Sequence, residues 1–311
     1  MPRKILITVL GPTASGKTAF AARLARNLNG EIISADSRQV YRNMDIGSGK
    51  DYNDYVVDGK PVPYHLIDIV DAGYQYNIHE FQRDFSRAWE DITSRGKQVI
   101  LCGGSGMYIE SVIKAYELVE VPHDPELRAE LENKTDTGLR QMLSSFRKLH
   151  NVTDTSSRKR LIRAIEIAKY SGSENAGSQS FPEFDNLIVG LGSERDQRRL
   201  RITARLEERL KEGLIDEVKQ LLNSGLTPEE VMFYGLEYKY VTLYITGGLS
   251  YEQMRDKLNI AIHQFAKRQM TWFRKMERDG IKINWLAADL SFTDKLNKAI
   301  EIIKTNTRYG I

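Results

Sequence analysis

Gly11-Pro12-Thr13-Ala14-Ser15-Gly16-Lys17-Thr18 decides the fold of this chain. The stretch fits G-x-x-x-x-G-K-[ST], and both of its flanks have the physical character such a loop needs. Before it, Ile5-Leu6-Ile7-Thr8-Val9-Leu10 is an apolar, β-branched run that reads as a buried parallel strand. After it, Ala19-Phe20-Ala21-Ala22-Arg23-Leu24-Ala25-Arg26-Asn27-Leu28 has a helical pattern of good helix formers. Strand, glycine loop and helix start together make a nest of backbone N–H groups, and the helix dipole favours an anion there. Lys17 adds a point charge for phosphate oxygens, and Thr18 adds a hydroxyl suited to Mg²⁺. The expectation is a di- or triphosphate site built from Gly11 through Thr18. The motif alone does not say whose phosphates they are.

The rest of the composition narrows the class. A chain of 311 residues with 41% hydrophobic and 28% charged residues is long enough for one large core or two domains. No apolar run approaches the length of a membrane span. The basic residues at the start precede an apolar stretch that runs into the phosphate loop, not into a small-residue cleavage site, so no signal peptide is expected. One cysteine, Cys102, excludes an internal disulfide framework and a cysteine-built zinc site, and a reducing cytoplasm fits best. The five histidines, His65, His79, His123, His150 and His263, lie at no metal-ligand spacing.

Strand and helix signals alternate over the first hundred or so residues. Glu31–Ala35 reads as a second strand ending at Asp36-Ser37, Phe81–Ser94 as a helix, and Gln98–Cys102 as a buried strand ending in Gly103-Gly104-Ser105-Gly106. Met107–Ala115 then reads as a helix. The fold class this predicts is α/β, a P-loop-type parallel sheet flanked by helices. Ligands in such sheets gather beyond the carboxyl ends of the strands, which puts Asp36 and Ser105 beside the phosphate loop. From Val121 the character changes. Helical segments around Glu126–Asn133, Thr137–Leu149 and Ser156–Tyr170 follow one another, a loop is read over Ser171–Ser180, and a strand returns at Leu187–Leu191. The division expected is a catalytic core of residues 1–120 with 187–311, and a helical insertion domain of 121–186. Gln197–Leu222, Tyr251–Glu277 and Asp294–Lys304 read as helices closing the core, with Ile281–Trp285 a short edge strand.

Two features carry chemistry besides the loop. Hydrolysis of a nucleotide normally uses a strand-end acid near the loop to hold Mg²⁺, and here that strand ends in glycines and Ser105. The carboxylate available is Asp36, which fits three roles: a general base, a water-mediated magnesium holder, or a plain strand-end cap. A late run, Ile260 to Arg274, sets Ile262, Phe265, Ala266 and Gln269 on one helical face and Lys267, Arg268, Thr271 and Arg274 around another. Aromatics interleaved with cations suit phosphate contact and base stacking, and equally an amphipathic helix with snorkelling cations. Net charge is only +3, so nucleic acid is indicated by clusters such as Arg158-Lys159-Arg160 with Arg163, not by the total.

Together these pieces resemble the tRNA dimethylallyltransferases (tRNA isopentenyltransferases). The resemblance rests on Gly11–Thr18; Ser34-Ala35-Asp36-Ser37-Arg38-Gln39-Val40-Tyr41; Met44-Asp45-Ile46-Gly47-Ser48-Gly49-Lys50; and His65-Leu66-Ile67-Asp68. It continues through Gly103–Tyr108, Asp124–Arg128, Lys159–Glu166 and Phe265-Ala266-Lys267-Arg268-Gln269-Met270-Thr271-Trp272-Phe273, in the family's order over nearly the whole chain. It implies transfer of a dimethylallyl group from dimethylallyl diphosphate to the exocyclic amine of the adenosine just 3′ of a tRNA anticodon, with Mg²⁺ as cofactor. It further implies that Asp36 accepts the amine proton, that Ser105 hydrogen-bonds near the reaction centre, and that Lys17, Thr18 and the loop hold the diphosphate, with Arg201 and Arg205 beside it. The tRNA anticodon stem-loop would be contacted by Asp36, Ser37, Arg38, Gln39, Ser105, Arg128, Lys159, Arg160, Leu161, Ile162, Arg163, Lys267 and Arg268. A monomer without membrane attachment is expected.

Three departures stand out. Ser105 replaces the family's usual threonine, keeping the hydroxyl but losing the methyl that fixes its rotamer. In Tyr234-Gly235-Leu236-Glu237-Tyr238-Lys239-Tyr240 the usual Ile-Gly-Tyr-Lys-Glu is altered, with Glu237 in place of the glycine. The chain also ends without the zinc-finger extension of eukaryotic members, as expected of the bacterial type. The rival readings are an isopentenyltransferase acting on free adenine nucleotides, a P-loop small-molecule kinase binding ATP, and a non-enzymatic RNA-binding switch.

Overall fold

The computed structural model describes residues 4–118, 121, 124–146, 157–171, 181–192 and 194–306. The chain begins with β1 (Lys4–Leu10), α1 (Lys17–Asn27) and β2 (Gly30–Ala35), then a 3-10 turn at Tyr52–Tyr55 and the short strands β3 (Val56–Val57), β4 (Lys60–Pro61) and β5 (Tyr64–His65). Next come α2 (Ile78–Ser94), β6 (Gln98–Gly103) and α3 (Gly106–Ile113), then three helices, α4 (Pro125–Glu132), α5 (Asp136–Phe146) and α6 (Arg158–Ser171). The chain returns through β7 (Phe184–Leu191), α7 (Arg195–Glu212), α8 (Leu214–Asn223), α9 (Pro228–Phe233), α10 (Leu236–Ile245), α11 (Tyr251–Arg278), β8 (Asn284–Leu286) and α12 (Phe292–Asn306).

Six strands form one sheet in the order β5-β2-β6-β1-β7-β8, and every pairing in it is parallel. β1 is therefore flanked by β6 on one side and β7 on the other, so the chain reverses direction across the sheet at the loop that follows β1. Crevices at such reversals are where parallel sheets bind ligands. Leu6, Ile7, Val9 and Leu10 are fully buried, which is why this strand lacks the polar alternation of a half-exposed one. α2 starts on a full capping box, Asn77 with Glu80, and buries Phe81, Phe85, Ala88, Trp89 and Ile92 along one stripe.

The chain divides into two compact units, residues 1–115 with 182–311, and residues 116–181. The second is all helix among its described residues, and Leu127, Leu131, Leu139, Leu143, Leu161, Ile162, Ala164 and Ile165 form its core. Asp124 caps α4 through the Leu127 N–H, with Pro125 in the first turn.

Some of the expected elements are divided or take other bounds in the structure. Gln197–Leu222 is two helices, because Gly213 at φ 109° ends α7 and starts α8, and the apolar period runs on across the break. β7 begins at Phe184, three residues before the apolar run, since Asp185 and Asn186 hide its start. The segment around Tyr234–Tyr240 is the junction of α9 and α10, hinged at Gly235 with φ 139°. Residues 147–149 and 156 of the expected helices, and the expected loop from residue 172 onward, lie outside the described residues.

Candidate active site

The phosphate loop has the backbone its composition predicts. Ala14 (φ 59°) and Gly16 (φ 74°) are both left-handed, and Gly16 is the N-cap of α1. Left-handed residues alternating with right-handed ones turn successive N–H groups into one concavity. Gly11 permits a close approach: a Cβ there would lie 2.7 Å from Ser15 Oγ and 3.1 Å from the Leu191 carbonyl. Ser15 Oγ is buried without a hydrogen-bond partner among the described residues. Lys17 also makes no ion pair or hydrogen bond through its ammonium within the described residues. Burial around that ammonium pulls its pKa below the usual lysine range; Arg205 and Arg209 pull the same way, and Cys102 and Asp36 oppose them. Cys102 lies beneath the loop, its thiol pushed up to about 12 by burial. It is inert at neutral pH.

Asp36 and Ser105 meet at the ends of β2 and β6. Gly103 lets the two strand ends come together, since a Cβ there would stand 2.2 Å from the Ala35 carbonyl oxygen. The Ser105 N–H donates to the Ala35 carbonyl at 3.4 Å, and Ser105 Oγ accepts the Ser37 N–H at 3.2 Å. Asp36 Oδ1 accepts the Arg38 N–H at 2.9 Å, an Asx turn that fixes the carboxylate while it lines the cleft. The strand-end cap expected of Asp36 is thus made by a side chain that also lines the cleft.

A cleft of about 1250 Å³ opens over these groups within the larger unit. Its lining includes Thr13 to Thr18, Asp36 to Gln39, Gly104 to Tyr108, Arg201, Arg205, Phe265, Arg268 and Trp272. Drug-sized ligands occupy pockets of roughly 300–1,000 Å³, so this cleft has room for a diphosphate and a second reactant together.

α11 closes one wall through residues the sequence did not single out for a role. Gln269, 8% exposed, accepts the Thr13 N–H at 2.8 Å and donates to the Gly104 carbonyl at 2.9 Å, tying the phosphate loop to the β6–α3 turn. Trp272 packs where a Cβ on Gly106 would stand 2.4 Å from its ring, and its Nε1 donates to Glu110 at 2.8 Å. Burial alone would raise the Glu110 pKa, but Lys275 and Lys114 hold it below the usual carboxylate range. Gln269 and Trp272 lie in the Phe265–Phe273 motif, so motif membership was the available signal, but it could not say what they grip.

α7 contributes Arg201, Arg205 and Arg209 to the cleft, at a four-residue spacing that sets them on one helical face. Only the first two were expected, although the same spacing reaches Arg209. Arg205 pairs with Asp51. Asp51 and Asp54 also line the cleft, brought there by the 3-10 turn and not by any strand end, so the search for a strand-end acid overlooked them. Burial lifts the Asp54 carboxyl above its ordinary range, with Asp51 adding to the shift.

The remaining expected contacts separate into groups. Ser37, Arg38, Gln39 and Arg268 line the cleft with Asp36 and Ser105. The Arg38 guanidinium stacks 5.4 Å from the Phe233 ring centroid, and that of Arg268 5.8 Å from Phe265. The Gln39 amide is used internally, accepting from Ser34 Oγ and donating to the Gly49 carbonyl, so this residue shapes the cleft wall. Lys267 is exposed on α11 beside the cleft-lining Arg268. Arg128, Lys159, Arg160, Leu161, Ile162 and Arg163 belong to the helical unit. Leu161 and Ile162 are corrections: they are 1% and 3% exposed in its core, and cannot present side chains to RNA. Arg128 and Arg163 both bind Glu166, at 2.6 and 3.0 Å for Arg128 and 3.0 Å for Arg163, while Lys159 is exposed.

Among the described residues no group of three or more His, Cys, Asp or Glu side chains is placed to hold a metal ion. No described helix is long and apolar enough to cross a membrane. The donors in the cleft do fit a magnesium ion that arrives with a diphosphate: the cleft-lining Thr18 carries a hard oxygen donor, and the orphaned Ser15 hydroxyl lines the same cleft.

Comparison with known proteins agrees with this geometry. The IPP transferase family model matches residues 39–276. The chain is 55% identical over 305 residues to tRNA dimethylallyltransferase 2 of Phocaeicola vulgatus, covering 98% of this chain and 99% of that one. Among solved structures it is similar to the tRNA isopentenylpyrophosphate transferase of Bacillus halodurans, with a TM-score of 0.71 and 33% identity over 97% of this chain and 96% of that one. It is also similar to a eukaryotic dimethylallyltransferase acting on tRNA, with a TM-score of 0.78 and 25% identity over 97% of this chain and 79% of that one. The chain belongs to the IPP transferase family.

Proposed function

We propose that this protein is a tRNA dimethylallyltransferase, moving a dimethylallyl group from dimethylallyl diphosphate to the exocyclic amine of the adenosine 3′ to the anticodon. The observation that carries the reading is the union, in one cleft, of an anion nest with unpartnered donors and the Asp36–Ser105 corner. A carbon–nitrogen bond forms at the allylic carbon as its bond to the diphosphate oxygen breaks. Negative charge then grows on the leaving group, and the loop N–H groups, Lys17, Ser15 and Arg205 stabilise it. Magnesium, bound with the diphosphate and held by Thr18, would neutralise part of that charge.

Asp36 takes the proton that the adenine amine loses as the new bond forms. Its Asx turn holds one oxygen, so the carboxylate is oriented before the acceptor arrives. Ser105, held to the Ser37 backbone, orients the acceptor amine at the same corner. The adenine must leave its stack to reach Asp36, which costs a few kcal/mol that cleft contacts, including the Phe265–Arg268 and Trp272 wall, offset. Arg38, Lys267 and Arg268 hold the RNA backbone near the cleft, and Lys159 and Arg160 hold the anticodon stem. The protein acts in the cytoplasm as a monomer.

Single-turnover transfer by Asp36→Ala, with dimethylallyl diphosphate and an anticodon stem-loop, tests the assignment. Binding is expected to persist while transfer falls by roughly a hundredfold or more, the scale of a lost general base. Near-normal transfer removes Asp36 from the mechanism. Offering total tRNA beside AMP and ATP separates the rival acceptor class: transfer to the nucleotides alone would overturn the tRNA reading.

A further inference from the structure

Arg209 is a buried cation of the cleft that the proposed chemistry does not yet use. Its side chain is only 11% exposed, yet among the described residues its guanidinium makes no hydrogen bond. Its nearest counter-charge is Glu237, at 3.9 Å, too far for a hydrogen-bonded ion pair. Arg205 lies close by on the same helical face, and both guanidiniums press on Gly49, where a Cβ would stand 2.1 Å from an Arg209 nitrogen and 2.8 Å from an Arg205 nitrogen. Gly49 is left-handed at φ 72°, so the loop both needs glycine and makes room for the two cations.

A buried guanidinium has five donors to satisfy, and leaving them empty is costly. A second cation beside it adds repulsion. Only an anion with several acceptor oxygens relieves both costs at once, and the nest of the phosphate loop opens on the same cleft. We propose that Arg209 is a diphosphate ligand of this enzyme, and that Glu237 is the counter-ion that holds it in place while the cleft is empty. The proposal rests on the transferase reading above and adds to it a donor beyond the loop and Arg205. It also gives a role to Glu237, which stands where the resembled family has glycine. Burial lowers the Arg209 pKa and raises that of Glu237, as expected of a pair kept apart from both water and each other. When a diphosphate enters, its oxygens take the guanidinium donors and repel the Glu237 carboxylate, so the two anions compete for one cation.

The competition predicts opposite signs for the two partners. Calorimetric titration with inorganic diphosphate and Mg²⁺ is expected to show Arg209→Met binding about ten- to a hundredfold more weakly than the wild type, the range for lost charge-assisted hydrogen bonds. Arg209→Lys should fall between them, since it keeps the charge and loses the fork. Glu237→Gln should bind diphosphate a few-fold more tightly. Affinity for an anticodon stem-loop, read by fluorescence anisotropy, should stay within twofold for all three, and thermal melting reports whether each is folded. Wild-type affinity for diphosphate in both Arg209 variants, or weaker binding by Glu237→Gln, overturns this assignment alone. A wild-type protein that ignores diphosphate overturns the transferase reading with it.

Discussion

Arg128 and Arg163 of the helical unit and Arg209 of the cleft are held in opposite ways. In the helical unit Arg128 and Arg163 converge on Glu166, a carboxylate 1% exposed, and Arg163 also reaches the Val121 carbonyl at 2.9 Å. In the cleft of the larger unit the ammonium of Lys17, the guanidinium of Arg209 and the hydroxyl of Ser15 lack hydrogen-bond partners among the described residues. A buried polar group left unsatisfied costs about 1–3 kcal/mol, and more if charged. A fold that gathers such groups around one concavity is storing donors for a ligand, whereas a fold that closes them on Glu166 is building a scaffold. Residue type does not separate the two cases. Partners do.

The contrast breaks most decisively at Lys17. Lys17→Met removes the charge that the proposed function assigns to the leaving group, and transfer is expected to fall about a thousandfold, near the upper range for one lost oxyanion-type donor. Single-turnover rates at saturating stem-loop measure it, with RNA affinity unchanged. A drop of less than tenfold would mean that the unpartnered ammonium serves something other than the diphosphate. Gln269→Ala comes next. It strands the Thr13 N–H and the Gly104 carbonyl at once, and a loop misplaced by an ångström can cost a hundredfold in rate. We expect a ten- to hundredfold loss with weaker diphosphate binding; a loss in melting temperature alone would make Gln269 a mere brace.

How much of this was legible in the sequence follows from which interactions are local. The geometry of the Gly11–Thr18 loop was, because strand, glycine turn and helix start are contiguous and each carries its own pattern. Asp36 and Ser105 were, because parallel sheets put strand ends on one edge. Gln269, Glu110 and Arg209 were not. Gln269 reaches Thr13 across 256 residues, and Trp272 reaches Glu110 across 162. No periodicity reports contacts so distant. Arg209 was within reach of the four-residue rule that links Arg201 and Arg205, and only its burial and missing partners reveal its use. Gly213 hid a helix break because left-handed geometry leaves the hydrophobic period intact on either side.

On the scaffold side the expected effects are smaller and appear as stability. Burial would raise the Glu166 pKa, but Arg128 and Arg163 hold it below the usual carboxylate range. A carboxylate depressed in the folded state stabilises it above the unfolded pKa, and that contribution disappears as pH falls through the folded value. The helical unit should therefore lose stability below about pH 4, the unfolded glutamate range. Glu166→Gln should flatten that loss and cost about 1–2 kcal/mol near neutral pH, the buried-pair penalty discounted because both arginines are more than a third exposed. Circular dichroism across pH measures both. A pH profile identical to the wild type would show that Glu166 is no keystone.

The smallest effect sharpens the contrast best, because it lies within the helical unit itself. Lys159 is exposed on α6, whereas Arg128 is neutralised by Glu166. If each cation contacted RNA phosphates freely, either substitution would lower the slope of log affinity against log salt by about one. The Glu166 pair changes that expectation for Arg128, since a charge already compensated releases few counterions when RNA binds. Lys159→Ala should thus weaken stem-loop binding a few-fold and lessen its salt dependence, while Arg128→Ala should chiefly lower melting temperature and leave the salt slope near that of the wild type. Equal slopes lost in both variants would mean that RNA pulls Arg128 away from Glu166, and the helical unit would then hold its arginines in reserve just as the cleft does.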